Sequence, residues 1–391
     1  MKIGIDGHRL FRRRKHGMEI VTIELIKNLQ VLDKENQYFI FVEPDQDKDC
    51  IKETENFKIV NIKVGSFPIW EQVALPFYAL KYKCDLLHCT SNTAPIFLKI
   101  PLIVTIHDMI YLEKSYFKTI DNQGTSYQRF GNLYRRFIVP KIAKSAQKII
   151  TVSDFEKHRI NEYFHFLPEN NKVITIYNSV NEYFRKIEDL EELKRIKLKY
   201  TLPDEFILFL GNTDPKKNTT NVIKAYFEFV KSNPGNIKLV IIDYQPDQLK
   251  KQLNEIVNHE LAGNIHLTGY VVNADLPAIY SLSSLFLYPS LRESFGIPLL
   301  EAMRCETPVI TSNTSSMPEI AGDATLLVDP FKPEEITAAI RRIFTDNKIR
   351  LNLIEKGFIQ AKKFSWRIMA QHVLEMYSEI GDKINKSFGN Q

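Results

Sequence analysis

The sequence predicts an α/β protein built from two doubly wound, Rossmann-like domains facing a cleft, and three observations carry that expectation. A chain of 391 residues exceeds the size at which one hydrophobic core stops growing, so two domains of about 200 residues are expected. Short β-rich runs alternate with longer amphipathic stretches, the pattern of parallel sheets linked by crossover helices. The composition, 44% hydrophobic and 25% charged, is that of a globular chain with enough apolar material for two cores.

In the first half, strands are expected near Lys2–Asp6, Tyr38–Val42, Lys58–Ile62, Asp85–Cys89, Leu102–Ile106, Lys148–Val152 and Val173–Ile176. Helical spacing fits Met18–Val31, where Ile20, Ile23, Ile26 and Leu29 share one side. Further helices are expected at Trp70–Tyr82, Asn132–Ala146 and Asp154–Tyr163. The charged stretch Arg185–Tyr200 lacks Gly and Ser and reads as a helical segment at the domain junction. The second half repeats the alternation, with strands at Phe206–Leu210, Ile237–Ile242, Ile265–Thr268, Leu285–Tyr288, Val309–Thr311 and Thr325–Val328, a helix at Val222–Phe229, and a helical tail over Pro333–Ile384.

Several function classes fall away. No apolar run approaches the roughly 18 residues of a membrane span. The start, Met1 to Asp6, reads as a strand rather than a signal peptide, so a cytoplasmic location is expected. Four cysteines suggest buried thiols rather than a disulfide framework, and Cys84 and Cys89 around His88 do not have zinc spacing. Asp45 and Asp47 form a D-x-D element, but in a highly charged loop that reads as solvated surface, so no metal and no cofactor is expected. The net charge of +5 resides in residues 1–190, with 28 Lys+Arg against 23 Asp+Glu. The run Arg12–Lys15 reads as a solvated loop, or as a contact to an anionic membrane face or a pyrophosphate-bearing acceptor.

Doubly wound sheets bind ligands at the carboxyl ends of their strands, so polar residues just after strands are the candidates. The most informative segment runs from Leu287 to Met303. A strand ends at Tyr288, Pro298 opens a helix, and Ser294 stands where an N-cap would. The amides around Phe295, Gly296 and Ile297 would then offer N–H groups and a helix dipole to a phosphate. Glu293 precedes that helix and Glu301 lies about a turn inside it, both able to accept from hydroxyls. Lys216 and Lys217 follow the first strand of the second half, a position suited to a diphosphate. Thr105-Ile-His107-Asp108 closes an apolar strand, and Ser153 and Asn178 also follow strands, where they read equally as caps or loop formers.

The Glu293-x7-Glu301 segment resembles the E-x7-E signature of retaining glycosyltransferases of family 4 (group 1), mannosyltransferase-like members included. Gly269 to Tyr280 before it and Thr307 to Ile320 after it match as well. The resemblance implies the GT-B architecture, with an acceptor-side domain over residues 1–185, a nucleotide-sugar domain over 200–365, and a last helix at about 366–391 packing back on the first domain. It implies that Glu293 holds hydroxyls of the donor sugar, Glu301 the ribose, Lys217 the leaving diphosphate, and His107 the donor sugar. Asp108 would orient that imidazole or cap its loop. Gly17, in His16-Gly17-Met-Glu19, would approach the diphosphate, and Tyr270–Val272, with Tyr244, would frame the base. Many relatives carry arginine where Asn212 stands and glycine where Ser179 stands.

The implied reaction is metal-independent hexosyl transfer with retention, from a nucleotide-diphosphate sugar, GDP-mannose ahead of a UDP-sugar, to a glycan or lipid-linked glycan acceptor in surface-polysaccharide synthesis. Closure of the cleft would hinge near residues 180–200. No nucleic-acid partner is expected; peripheral contact with an anionic membrane at its inner face is. A nucleotide-sugar epimerase of the same architecture and a catalytically silent sugar-nucleotide-binding subunit are the alternatives. A hydrolase is disfavoured, because no G-x-S-x-G elbow occurs.

Overall fold

The computed structural model describes residues 1–13, 15–113, 126–211, 213–232, 236–256 and 259–389. The chain divides into two compact units: Met1–Asn178 together with Trp366–Gln391, and Ser179–Ser365. Each is built on one parallel sheet.

The first unit alternates β1 (Lys2–Asp6), α1 (Gly17–Leu32), β2 (Gln37–Val42) and β3 (Phe57–Asn61), then a helical crossover made of α2 (Phe67–Ile69), a π-helical turn (Trp70–Ala74) and α3 (Leu75–Lys81). It continues through β4 (Leu86–Cys89), β5 (Leu102–Thr105), α4 (Ser126–Ser145), β6 (Lys148–Thr151), α5 (Asp154–Phe164) and β7 (Val173–Thr175). The strand order is β3-β2-β1-β4-β5-β6-β7. β4, β5 and β6 are closed off along their whole length, as strands covered on both faces must be. On one face Ile23, Ile26 and Leu29 of α1 pack with Trp366, Val373 and Tyr377 of the last helix. On the other, Trp70, Leu75 and Ala79 pack in one core with Ile138, Ile142 and Ile160.

The crossover departs from a plain helix at Trp70–Tyr82. Pro68 starts it early, since proline suits a first helical turn. Pro76 has no N–H to return to the preceding turn, and the ladder widens there, with Leu75 N–H reaching back to Trp70 O.

The second unit follows the same plan: α6 (Leu190–Lys199), β8 (Phe206–Phe209), α7 (Thr219–Ser232), β9 (Lys238–Ile241), α8 (Pro246–Ile256), β10 (Ile265–Leu267), α9 (Leu276–Leu282), β11 (Leu285–Tyr288), α10 (Ile297–Arg304), β12 (Val309–Ser312), α11 (Met317–Ala321), β13 (Leu326–Val328), α12 (Pro333–Thr345) and α13 (Asn347–Ala361). Its order is β10-β9-β8-β11-β12-β13, every pair parallel. The expected helical tail is three helices. Asp346 caps α13 by accepting from Ile349 N–H at 3.0 Å, and α14 (Trp366–Gly389) returns to the first unit.

In both sheets the winding reverses once, between β1 and β4 and between β8 and β11. Loops leaving the carboxyl ends of the two central strands part there and leave a crevice.

Candidate active site

In the second unit the reversal point brings together two residues distant in sequence. Lys217 follows β8 and Glu293 follows β11, and their Nζ and Oε1 atoms stand 2.7 Å apart. The Lys217 ammonium also donates to the Tyr288 hydroxyl at 3.2 Å and lies 4.9 Å from its ring centre. The loops are pinned to each other. Asn218, in the left-handed region at φ 62°, donates through Nδ2 to Pro289 O and Pro330 O, and Leu291 N–H donates to Lys216 O. Asp214 accepts from Lys216 N–H at 3.1 Å, closing the short turn that carries both lysines. An added side chain at Gly211 would meet Phe209 at 2.7 Å, so the chain leaves β8 in close contact with the sheet. Asn212 lies outside the described residues.

Glu293 is fixed through its backbone, whose N–H donates to Ser315 Oγ and whose carbonyl accepts from Ser316 and Arg292. Burial opposes its ionisation, but the ammonium groups of Lys217 and Lys216, with hydrogen bonds from Lys217 and Tyr288, outweigh that and hold its carboxyl below the usual range. Glu301 behaves oppositely. Burial pushes it up to about 7, with only the Tyr280 hydroxyl, donating to Oε2 at 3.0 Å, working against the shift. Two carboxylates beside one helix therefore differ in protonation near neutrality.

The cap of α10 is not Ser294. Gly296 occupies that position at φ 93°, without a side-chain cap bond. Ser294 lies two residues before that cap, and Pro298 at the second helical position has no N–H to offer. Leu299 N–H closes on Gly296 O, while the Gly296 and Ile297 amides stand at the open end of the helix. Phe295 turns inward and meets Phe364 edge-on. Past β10, Tyr270 is exposed and Val271 buried; Tyr244, past β9, is buried and bonded to Gln252.

In the first unit, His107 is buried at the end of β5. Its Nε2–H donates to Thr90 O at 2.8 Å and its backbone N–H to Asn92 Oδ1 at 2.6 Å. Burial lowers its pKa despite the Thr90 carbonyl, Asp108 and Glu19, so the ring is neutral and its Nδ1 is an acceptor. The ring is oriented by Thr90 and not by Asp108, which instead accepts from Ile110 N–H at 3.2 Å and closes its own loop. Ser153 is a helix cap, accepting from Glu156 N–H at 3.2 Å. Asn178 is buried at the end of the unit. Gly17 is the first residue of α1, where a side chain would meet no atom of the chain, and His16 N–H closes a capping box with Glu19 at 2.8 Å. Asp47 is held by the Lys15 ammonium.

Sequence reasoning did not single out Tyr288 or Tyr280 as partners of the acidic pair, nor Asn218 as the clasp of the lysine loop. It also passed over Asp6 and Glu71. Asp6 ends β1, accepts from His8 N–H at 3.0 Å, and is pushed up to about 7 by burial and by Glu71. Glu71 is closed off in the π-helical turn and takes hydrogen bonds from Thr93, Gln72 and Tyr134. A polar residue at the end of β1 was the available signal for Asp6; Glu71 had none, because it sits within an apolar helix.

The profile of glycosyl transferases group 1 matches residues 190–360, and that of glycosyltransferase family 4 matches residues 16–183. The chain belongs to this glycosyltransferase family. This family-4 chain is 34% identical over 237 residues to the O-antigen chain mannosyltransferase B of Escherichia coli, covering 60% of this chain and 61% of that protein. Serotype-specific mannosyltransferase WbdA of the same organism is 32% identical over 252 residues, or 63% of this chain. The matched stretch spans 31% of WbdA, so these curated relatives extend well beyond it. Among solved structures, Anabaena HepE in complex with UDP-glucose superposes with a TM-score of 0.73 at 16% identity, covering 97% of this chain and 100% of that one. Sucrose-phosphate synthase of Thermosynechococcus elongatus gives 0.71 at 17%, covering 98% and 99%. At these identities the likeness establishes the fold, which is the GT-B architecture.

Proposed function

We propose that this family-4 chain is a retaining hexosyltransferase that moves a hexose from a nucleotide-diphosphate sugar to a glycan or lipid-linked glycan acceptor in surface-polysaccharide synthesis. GDP-mannose is the leading donor, in keeping with relatives named as mannosyltransferases, one of them of the O-antigen chain, and a UDP-sugar is next, in keeping with the ligand named for HepE. The observation that carries the reading is the Lys217–Glu293 pair at the reversal point of the second sheet.

On this reading the donor diphosphate lies against the Lys217 ammonium and the amides at the start of α10. Glu293, held ionised, accepts hydrogen bonds from sugar hydroxyls, and Glu301 from the ribose. As the bond from the anomeric carbon to the diphosphate oxygen breaks, negative charge grows on that oxygen and Lys217 stabilises it. The acceptor hydroxyl attacks the oxocarbenium-like carbon from the same face, and its proton passes to the departing diphosphate. A double displacement would need a carboxylate under the anomeric carbon. Glu293, already engaged with Lys217 and Tyr288, serves binding instead. His107 presents a neutral Nδ1 acceptor to a substrate hydroxyl. The lysine and the helix dipole take the part of a divalent cation, so the reaction needs neither metal nor cofactor. It runs at the cytoplasmic side of the membrane.

The test is turnover with a mannosyl donor in the presence of a chelator, which leaves the wild-type rate unchanged. Lys217→Ala and Glu293→Ala each lower turnover on the order of a thousandfold while far-UV circular dichroism keeps the parental secondary structure; Lys217→Ala, which leaves the buried Glu293 carboxylate without its main partner, also unfolds at a lower temperature. Wild-type turnover in Lys217→Ala overturns the charge-neutralising role.

A further inference from the structure

The crossover helices α2 and α3 and the long helix α4 pack on the same face of the first unit's sheet, where Trp70, Leu75 and Ala79 share a core with Ile138 and Ile142. They also touch each other, since Tyr134 donates to Glu71 at 2.5 Å and meets Phe67 edge-on. Their outward sides therefore belong to one side of the unit.

Those sides are apolar. Along the crossover, Ile69, Val73, Phe77 and Leu80 are 53%, 62%, 61% and 48% exposed, opposite Glu71 and Trp70, which face the core. On α4, Phe130, Leu133 and Phe137 are 58%, 63% and 59% exposed. Phe97, in the loop after β4, is 88% exposed. Scattered exposed apolar residues are ordinary, but two aligned stripes in one helical layer are not.

Among the described residues, the exposed charge on these helices has one sign. α4 carries Arg129, Arg135, Arg136, Lys141 and Lys144 with no acidic residue. Lys81 ends α3, and the one carboxylate of the crossover, Glu71, is buried. The Lys141 ammonium lies 3.5 Å over the exposed Phe137 ring, which sets a cation directly on the apolar stripe. A second protein would satisfy such a face with scattered acids and apolar pockets. An apolar stripe on helices whose exposed charges are, among the described residues, lysines and arginines matches a sheet of anionic headgroups above acyl chains.

We infer that this face of the first unit docks on an anionic lipid bilayer, with the apolar side chains of the crossover and α4 entering the interface and the exposed Arg129, Lys141 and Lys144 of α4 meeting the headgroups. The basis differs from the Arg12–Lys15 run, where Lys15 is already paired with Asp47. Because α2 begins after β3, at the carboxyl-end edge of the sheet, the docked face reaches the edge that holds His107. An acceptor carried on a lipid is thereby presented to that edge. The inference deepens the acceptor half of the proposed function and rests on it only there, because lipid binding is measured without turnover.

The experiment is flotation of the full chain with phosphatidylcholine vesicles, with and without phosphatidylglycerol. The wild type floats with the anionic vesicles, less so as salt rises, and stays with the buffer alongside the neutral ones. Phe77→Ser combined with Phe137→Ser lowers partitioning by about tenfold or more. Lys141→Glu with Arg129→Glu weakens it and flattens the salt dependence, and in all these variants transfer to a water-soluble acceptor keeps the parental rate. Equal flotation with neutral vesicles, or unchanged flotation of the double-serine variant, overturns the inference. So does wild-type self-association that the same substitutions abolish, which would make a second copy the occupant. So does binding that emerges only once residues 114–125 are deleted, which would assign the face to that segment.

Discussion

Glu293 and Glu301 flank the start of one helix, and each carries a different proton load. Glu293 has two lysines to favour its charge, whereas Glu301 has one tyrosine hydroxyl against the burial that pushes it to about 7. Hydroxyls donating to Glu301 favour the carboxylate, so a nucleotide that binds through it expels the proton Glu301 still holds near neutrality. Titration of the nucleotide-diphosphate sugar, whose phosphates hold no proton near neutrality, by calorimetry in buffers of different ionisation enthalpy is expected to give release of about half a proton at pH 7. Affinity then rises from pH 6 to pH 8, the direction in which the raised carboxyl loses its proton. In Glu301→Gln both effects vanish; an unchanged proton count there would place the titrating group elsewhere. The spacing of the two acids is legible in the sequence because a strand end, a proline and two glutamates lie within one short segment. Their opposite ionisation is not, since it depends on Lys217, some seventy residues earlier, and on the tyrosines that end β11 and line α9.

At the scale of elements, the strands were legible nearly to the residue, because each fully covered parallel strand is a short apolar run between polar breaks. Helix beginnings were less so. Ser294 has the chemistry of a cap, but the chain continues to Gly296, whose φ of 93° sets the direction in which α10 starts. A side chain at Gly296 would meet Met317 Cε at 2.4 Å as well as an unfavourable backbone. Gly296→Ala is therefore expected to cost about 1–3 kcal/mol in denaturant unfolding and to weaken nucleotide binding. Adding Met317→Ala removes the collision but not the backbone strain, so it restores only part of the loss. Full restoration would mean that the left-handed turn is not needed. The crossover gives a second lesson. The apolar spacing of Trp70–Tyr82 announces a helix, while the proline-driven widening that turns Glu71 inward depends on where Pro76 falls in the ladder.

Across the whole molecule, the alternation of strands and helices announces two parallel-sheet units, but nothing local announces what the final helix packs against. Trp366, Val373, Met376 and Tyr377 of α14 fill the core beside α1, and the Tyr377 hydroxyl meets His88 Nδ1 at 2.6 Å. His88, held neutral at about 3 by burial and His107, also bonds Thr105 at 2.8 Å. Tyr377→Phe leaves a buried ring nitrogen without its partner and is expected to destabilise the first unit by about 1–3 kcal/mol. In urea unfolding this appears as an earlier transition for that unit, with the transition of residues 179–365 unmoved; a shift of both together would contradict it.

Because α14 follows residues 179–365, the first unit is a discontinuous structure whose closing piece leaves the ribosome only after the inserted unit has been made. At about 5–20 residues per second, its sheet waits on the order of 10–40 s with the face meant for α14 bare. The inserted unit has all its strands in hand before then and can complete its fold first. Newly made chain thus passes through a half-covered intermediate, and its yield in the cell will depend on what shields Ile3, Ile5 and Leu29 during that interval.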